Sequence, residues 1–283
     1  MNTIDKNKIK EMFQAKCTMM QLSQEKGAVA AGTKGTTVSQ VFNGTYPAND
    51  DAVYKLLAIW VDYKNLNWNI AETVNYKFIS NLLTDAKVNG KVYAIIGDAG
   101  CGKTFTMKRF SEKVPNAFML CCAEYWNRKQ FLRELLSKMG REYGGLTVNE
   151  MMELAITSLL AMNSPIIMMD EADKLSDQVL YFFITLYNRL EDQCGLIMSA
   201  TPHLTRRLER GRNTNKKGYA EIWSRINSKP VVCEKTREKD VKAVCIANGI
   251  EDMATIKIIF QECEGDLRRV KTGIHRSKLM DAA

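Results

Sequence analysis

The chain has 283 residues, of which 46% are hydrophobic and 25% charged, and its formal net charge is +8. That composition supports a buried core and excludes a disordered or fibrous protein, and no apolar run reaches the ~20 residues of a membrane-spanning helix. The surplus of cations favours a polyanionic partner. The opening MNTIDKNKIKEMF is polar and charged, unlike a secretion signal. Eight cysteines without a C-x-x-C pair suit reduced thiols in a cytoplasmic protein better than disulfides or zinc.

Residues 1 to about 62 read as a set of short helices. Val53, Leu56, Leu57, Trp60 and Val61 share one helical face. Met19–Lys26 also reads as helical, followed by a glycine-rich break over Gly27–Gly35 and a second helix over Thr36–Phe42. Helix, turn and polar second helix is the helix-turn-helix pattern of DNA readers. Val38, Val41 and Phe42 then face inward, while Thr36, Thr37, Ser39, Gln40 and Asn43 reach base edges and Lys34 a phosphate. A helical protein-interaction module would use the same packing. The polar stretch Asp62–Asn69 marks a boundary, and Ile70–Leu83 leads into the next segment.

The sharpest signal is Gly97-Asp98-Ala99-Gly100-Cys101-Gly102-Lys103-Thr104, which fits the phosphate-binding pattern G-x-x-x-x-G-K-[ST]. An apolar strand, Lys91–Gly97, precedes it and a helix follows from Thr104, which is the context the motif needs. Glycines let several backbone N–H groups face phosphate oxygens, and the new helix adds its positive end. Lys103 is expected on the β- and γ-phosphates of ATP and Thr104 on Mg²⁺.

A second strand is predicted over Asn116–Cys122. Glu124–Lys129 then mixes aromatics and cations, so Tyr125, Arg128 and Lys129 are candidates for a nucleic-acid backbone. A solvated helix start over a buried Trp126 fits the same residues. Thr147–Met162 reads as a methionine-rich core helix. Pro165–Asp173 is a buried strand ending in Asp170-Glu171. Asp170 is expected to hold the hydrated Mg²⁺ and Glu171 to polarise the attacking water. Gly195–Ala200 is another apolar strand, and Thr201, with Ser199 in reserve, is the candidate to orient that water. Thr205–Lys217 carries six cations against Glu209 and reads as a mobile loop for phosphate contacts, with Arg206, Arg207 and Arg210 foremost. A solvated loop is the alternative. A short strand at Pro230–Cys233 and helices at Arg237–Ala247, Met253–Cys263 and Leu267–Leu279 complete the chain.

Phosphate loop, Asp-Glu strand, polar strand end and C-terminal helices together resemble the AAA+ ATPases. The resemblance implies an α/β fold: a P-loop NTPase core of parallel sheet flanked by helices, a small helical lid and an N-terminal helix-turn-helix domain. It divides the chain at 1–66, 67–233 and 234–283. It also implies that Arg268 is the lid arginine and that Arg225, in Ser-Arg-Ile, is the arginine finger acting on a neighbour's ATP. Within AAA+ the chain looks most like the Mu-type target-selection ATPases of transposition. That likeness implies a homo-oligomer, a filament or ring on double-stranded DNA, which presents the target to a transposase and uses ATP and Mg²⁺. Asp170-Glu171-Ala172-Asp173 with Ser199-Ala200-Thr201 also spells two motifs of RNA helicases, but too little chain follows Thr201 for their second domain. A helicase loader or replication initiator, and an ATP-switched transcription regulator, share these features.

Overall fold

Ile9, Phe13 and Cys17 recur every fourth residue and give helix α1 (Lys6–Met19) a buried stripe. The computed structural model describes residues 6–20, 22–61, 68–226 and 229–280, and the chain divides into two compact units, Met1–Trp68 and Asn69–Ala283. In the first, α1 packs with α2 (Gln24–Ala30), α3 (Gly35–Phe42) and α4 (Asp51–Trp60). Their core holds Ile9, Phe13, Ala28, Val38, Val41, Val53, Tyr54, Leu57 and Val61. The predicted helix at Met19–Lys26 and break at Gly27–Gly35 are out of register. The chain turns after Met19, and Ser23 caps α2 by accepting from the Lys26 N–H. Gly27 lies inside α2 because α1 is too close for a side chain: a Cβ there would meet Cys17 Sγ at 2.4 Å. Leu56, predicted inward, is instead 39% exposed. The predicted boundary stretch falls largely on residues 62–67, outside the described residues.

The second unit is a sheet between two layers of helices. After α5 (Val74–Asn89) come β1 (Val92–Ile96), α6 (Lys103–Lys113), β2 (Ala117–Cys121), α7 (Arg128–Lys138) and α8 (Val148–Leu160). Then follow β3 (Ile166–Asp170), a single 3₁₀ turn (Ala172–Lys174), α9 (Asp177–Leu190), β4 (Gly195–Ala200), α10 (Pro202–Asn213), α11 (Tyr219–Arg225) and β5 (Val231–Val232). The strand order is β2-β3-β4-β1-β5 and every pairing is parallel. Alternate strand residues serve opposite layers. Ile95, Ile166, Met168 and Ile197 pack with α5 and α6, while Ala94, Ile96, Ile167, Met169, Leu196 and Met198 pack with α7 to α11. Strands covered on both faces read as continuous apolar runs, which is why the sequence shows them so plainly. Three further helices, α12 (Glu238–Ala247), α13 (Met253–Cys263) and α14 (Leu267–Met280), pack on one another in the same unit. No helix among the described residues is long and apolar enough to cross a membrane.

The largest departure from the sequence reading lies between β4 and β5. The cationic stretch predicted as a mobile loop is mostly helix α10, capped by Thr201 with Pro202 in its first turn. Leu204, Leu208 and Gly211 form its buried face, and Gly211 is required because a Cβ would lie 2.1 Å from the Tyr219 ring. Asp177, at the start of α9, ties α9, α10 and α11 together. It accepts from Arg207 Nη2 (2.5 Å) and Tyr219 Oη (2.7 Å), and pairs with Lys216 (2.5 Å). Burial alone would raise the Asp177 carboxyl, but the bonds from Lys216, Tyr219 and Arg207 outweigh it and hold the group well below the usual carboxylate range.

A carboxyl depressed on folding stabilises the protein above its unfolded pKa of ~3.9, and that contribution fades as pH falls toward the folded value. Asp177→Ala is therefore expected to cost about 2 kcal/mol at pH 7. The gap to the native protein should narrow by pH 3, as read by denaturant unfolding at both pH values.

Candidate nucleotide-binding site

Gly97 to Thr104 form one turn from the end of β1 to the first residues of α6. The turn needs backbone that only glycine adopts freely: Gly100 has φ +77° and Gly102, the N-cap of α6, has φ +101°. Gly100 is also pressed by the C-terminal helices, since a Cβ there would lie 1.9 Å from Asp266 Oδ1, and the Leu267 N–H donates to the Gly100 carbonyl at 3.1 Å. Lys103 is buried, and its ammonium donates to the carbonyls of Gly97 (2.6 Å) and Asp98 (3.0 Å). Thr104, Asp98 and Ala99 are exposed.

Asp170 closes β3. It is 2% exposed, and its Oδ1 accepts from Ser199 Oγ at 2.9 Å across the β3–β4 pair. Glu171 follows with φ 54° and ψ 39°, a left-handed backbone that a non-glycine residue adopts at a cost of order 1–3 kcal/mol. The strained turn leaves Asp170 inward and carries the Glu171 carboxylate outward, where it pairs with Lys174 at 2.8 Å. β4 supplies further fasteners. Thr201 Oγ1 donates to Asp173 Oδ2 (2.7 Å), and Arg207 Nη1 donates to the carbonyls of Asp173 (3.2 Å) and Leu175 (2.7 Å).

Because the strands are parallel and β4 lies between β1 and β3, the phosphate loop, Thr201 and the acidic turn follow one another along the same edge of the sheet. Both water-orienting candidates are engaged with acidic residues, Ser199 with Asp170 and Thr201 with Asp173. Arg268 stands exposed on the first turn of α14, next to the Leu267 contact with the loop. Arg225 lies on α11, bonded to Asn188 Oδ1 (2.7 Å) and stacked over Tyr187 at 5.2 Å. Lys34, Thr36, Gln40 and Asn43 are exposed on or beside α3, with Thr37 and Ser39 half-buried. Tyr125 is 82% exposed while Trp126 is buried against Phe131, as a solvated helix start over a buried Trp126 requires. Arg128, Lys129, Arg206 and Arg210 are exposed, and Arg207 is engaged within the fold.

Three participants had no signal in the sequence. Asn75, buried near the start of α5, donates to the carbonyls of Cys101 (3.3 Å) and Glu234 (2.8 Å) and so braces the loop from outside. Asp266 brackets Gly100, and Arg207 holds the acidic turn. Each works across a long separation in the chain, where no local pattern exists to read.

A glycine cradle, a buried lysine at a helix N-terminus and an inward carboxylate fit a nucleoside triphosphate with Mg²⁺. The loop amides and Lys103 would hold the phosphates, and Thr104 and Asp170 the metal, whose chemistry would be to neutralise charge on phosphate oxygens. Ser199 fixes the Asp170 carboxylate, and the left-handed turn sets the Glu171 carboxylate apart from it, paired with Lys174 at the surface.

Residues 86–208 match the model of an AAA domain, a segment running from the last turn of α5 through β4 into α10. No curated protein matches the chain. The segment supports a nucleotide-binding P-loop ATPase of the AAA type, in agreement with the loop and the acidic strand end.

On the ATP reading of this site, Lys103 would act on ground-state charge and Glu171 only on the reacting water. Lys103→Ala is expected to abolish ATP binding, and Glu171→Gln to retain it while lowering turnover at least ~100-fold. Fluorescent-nucleotide binding beside phosphate release checks both, and normal turnover by Glu171→Gln would remove Glu171 as the base.

Proposed function

We propose, from the AAA-type segment as premise, that the protein is an ATP-dependent DNA-binding ATPase of the transposition target-selection type. It assembles as a homo-oligomer, a filament or ring, on double-stranded DNA and delivers that DNA to a transposase. The observation that carries the reading is the set of exposed cations on the unit that holds the phosphate loop. Arg128 and Lys129 open α7 beside the outward ring of Tyr125, and Arg206 and Arg210 line the outer face of α10. Repeated in every subunit, such cations neutralise successive phosphates without reading sequence. Arg207, engaged with Asp177 and the acidic turn, acts inside the fold and contributes no such contact. The polar residues Lys34, Thr36, Thr37, Ser39, Gln40 and Asn43 on and around α3 add a modest sequence bias in the manner of a recognition helix.

In this assembly the ATP site is shared. Arg225 of one subunit stabilises charge on the phosphate held by the next, and Arg268 responds to nucleotide through the lid. Arg225→Ala is expected to lower turnover with monomer nucleotide affinity nearly intact, and mixing it with Lys103→Ala should restore part of the activity. A mixture of the two folded, co-assembling proteins that shows no recovery counts against a shared site.

The DNA reading is tested with the full chain and with a fragment beginning at Asn69, the start of the second compact unit. The fragment is expected to bind duplex DNA in an ATP- and length-dependent manner, more weakly than the full chain. Both affinities should fall steeply with salt. Fluorescence anisotropy with random duplexes, with and without ATP at two salt concentrations, measures this. A single tight, sequence-specific site that is lost with residues 1–68 and ignores ATP would overturn the filament and favour a transcription regulator.

A further inference from the structure

The phosphate loop carries a thiol, and a second thiol lies against it. Cys101, within the loop, and Cys233, the residue after β5, are buried in the layer beneath α5 and α6, and both sulfurs pack against the same backbone position. They meet at Gly97. A Cβ there would lie 2.8 Å from Cys101 Sγ and 3.2 Å from Cys233 Sγ. The backbone on both sides is held by one residue. Asn75 Nδ2 donates to the carbonyls of Cys101 and Glu234, and Asn75 Oδ1 accepts from the Glu234 N–H at 3.0 Å. The Cys233 N–H in turn donates to the Ile96 carbonyl at 2.7 Å, which fixes that cysteine to the strand leading into the loop. The Lys103 ammonium is 3.6 Å from Cys101 Sγ.

No step of phosphate binding or hydrolysis requires sulfur at either position. We propose that Cys101 and Cys233 form a peroxide-sensitive thiol pair whose oxidation to a disulfide closes the phosphate loop to nucleotide. The closure rests on the reading of this loop as the ATP site. The pair is asymmetric in the way such chemistry needs. The neighbouring Cys233 thiol, against the opposing effect of burial and with help from the Lys103 ammonium 3.6 Å away, holds the Cys101 thiol below the ordinary thiol range, while the same neighbour and burial push Cys233 up. Cys101 is thus the nucleophile and Cys233 the proton-bearing partner.

With a hydroperoxide as oxidant, the Cys101 thiolate attacks one peroxide oxygen. The O–O bond breaks, two electrons pass to the peroxide, and hydroxide leaves to become water, so that Cys101 becomes a sulfenic acid. Cys233 sulfur then attacks Cys101 Sγ. The S–O bond breaks, and the departing hydroxide takes the Cys233 proton as a second water. The S–S bond of ~2.05 Å is much shorter than any non-bonded contact between two sulfurs. Cys233 is anchored to β1, so residue 101 must make the movement. That movement turns the adjoining amides, and the disulfide leaves Lys103 without the thiolate charge beside it.

The test uses the full-length protein, treated with hydrogen peroxide and then alkylated. Peptide mapping without reductant looks for the Cys101–Cys233 link, and binding of a fluorescent ATP analogue is measured before oxidation, after it, and after dithiothreitol. The linked peptide is expected as the main oxidation product, with affinity falling at least tenfold and returning on reduction. Reduced Cys233→Ser should bind the analogue as the native protein does. When oxidised it should give no link and a Cys101 adduct with dimedone, the signature of a sulfenic acid lacking its partner. Absence of the link in the native protein overturns the thiol pair, and unchanged affinity in the linked protein overturns the closure. Failure of the reduced native protein to bind the analogue overturns the ATP-site reading instead.

Discussion

All strands of the sheet run in one direction, and the site depends on that constraint. A parallel sheet delivers the carboxyl end of every strand to one edge, so each strand contributes the first residues after its last ladder bond. β1 contributes the phosphate loop, β3 the Asp170-Glu171 turn and β4 Thr201. The insertion of β4 between β1 and β3 carries this further, because Ser199 can then reach across to the Asp170 carboxylate. With β4 elsewhere in the order, Asp170 would be a buried carboxylate without that donor, and leaving such a group unpaired is costly.

Around that edge, charge is used for positioning as much as for chemistry. Arg207 joins two turns of backbone and one carboxylate, gathering the acidic turn, α9 and α11 about a single guanidinium. The planar fork of arginine suits this role, since its donors diverge toward several acceptors at once. The strained backbone at Glu171 is maintained by these contacts. Thr201 and Arg207 bind the turn from one side, and the Glu171–Lys174 pair closes it on the other. The result is two adjacent carboxylates in different environments, one buried and held by Ser199, the other at the surface and paired with Lys174.

The C-terminal helices touch the phosphate loop through backbone as well as side chain. The Leu267 N–H on the Gly100 carbonyl and the closeness of Asp266 to Gly100 mean that the loop and the start of α14 move together. Asn75 makes a comparable link on the other side, from α5 to the loop and to the segment after β5. The loop is therefore tied to α5, to the segment after β5 and to the start of α14.

What the sequence determined by itself was the core. The phosphate-loop pattern, the Asp-Glu strand end and the apolar runs of β1 to β4 were legible because their information is local: consecutive residues carry it, and a strand buried on both faces cannot hide its composition. Helices α13 and α14 were legible for the same reason. The local signal misled where packing outweighed composition. Gly27 suggested a break, but it lies in a helix because α1 leaves no room for a side chain there. Six cations suggested a loop after Thr201, but Leu204, Leu208 and Gly211 fold that stretch onto the core. Helix α9 escaped the sequence reading, although Val179, Phe183 and Leu186 carry the helical period, and α1 was covered only by the general reading of short helices over residues 1–62. The pairings Asn75 with Glu234, Asp177 with Arg207, Asp266 with Gly100 and Cys101 with Cys233 were decided only by the tertiary structure. Each joins residues far apart in the chain, and hydrogen bonds, charge pairs and steric contacts act through space, where sequence order carries no record of them.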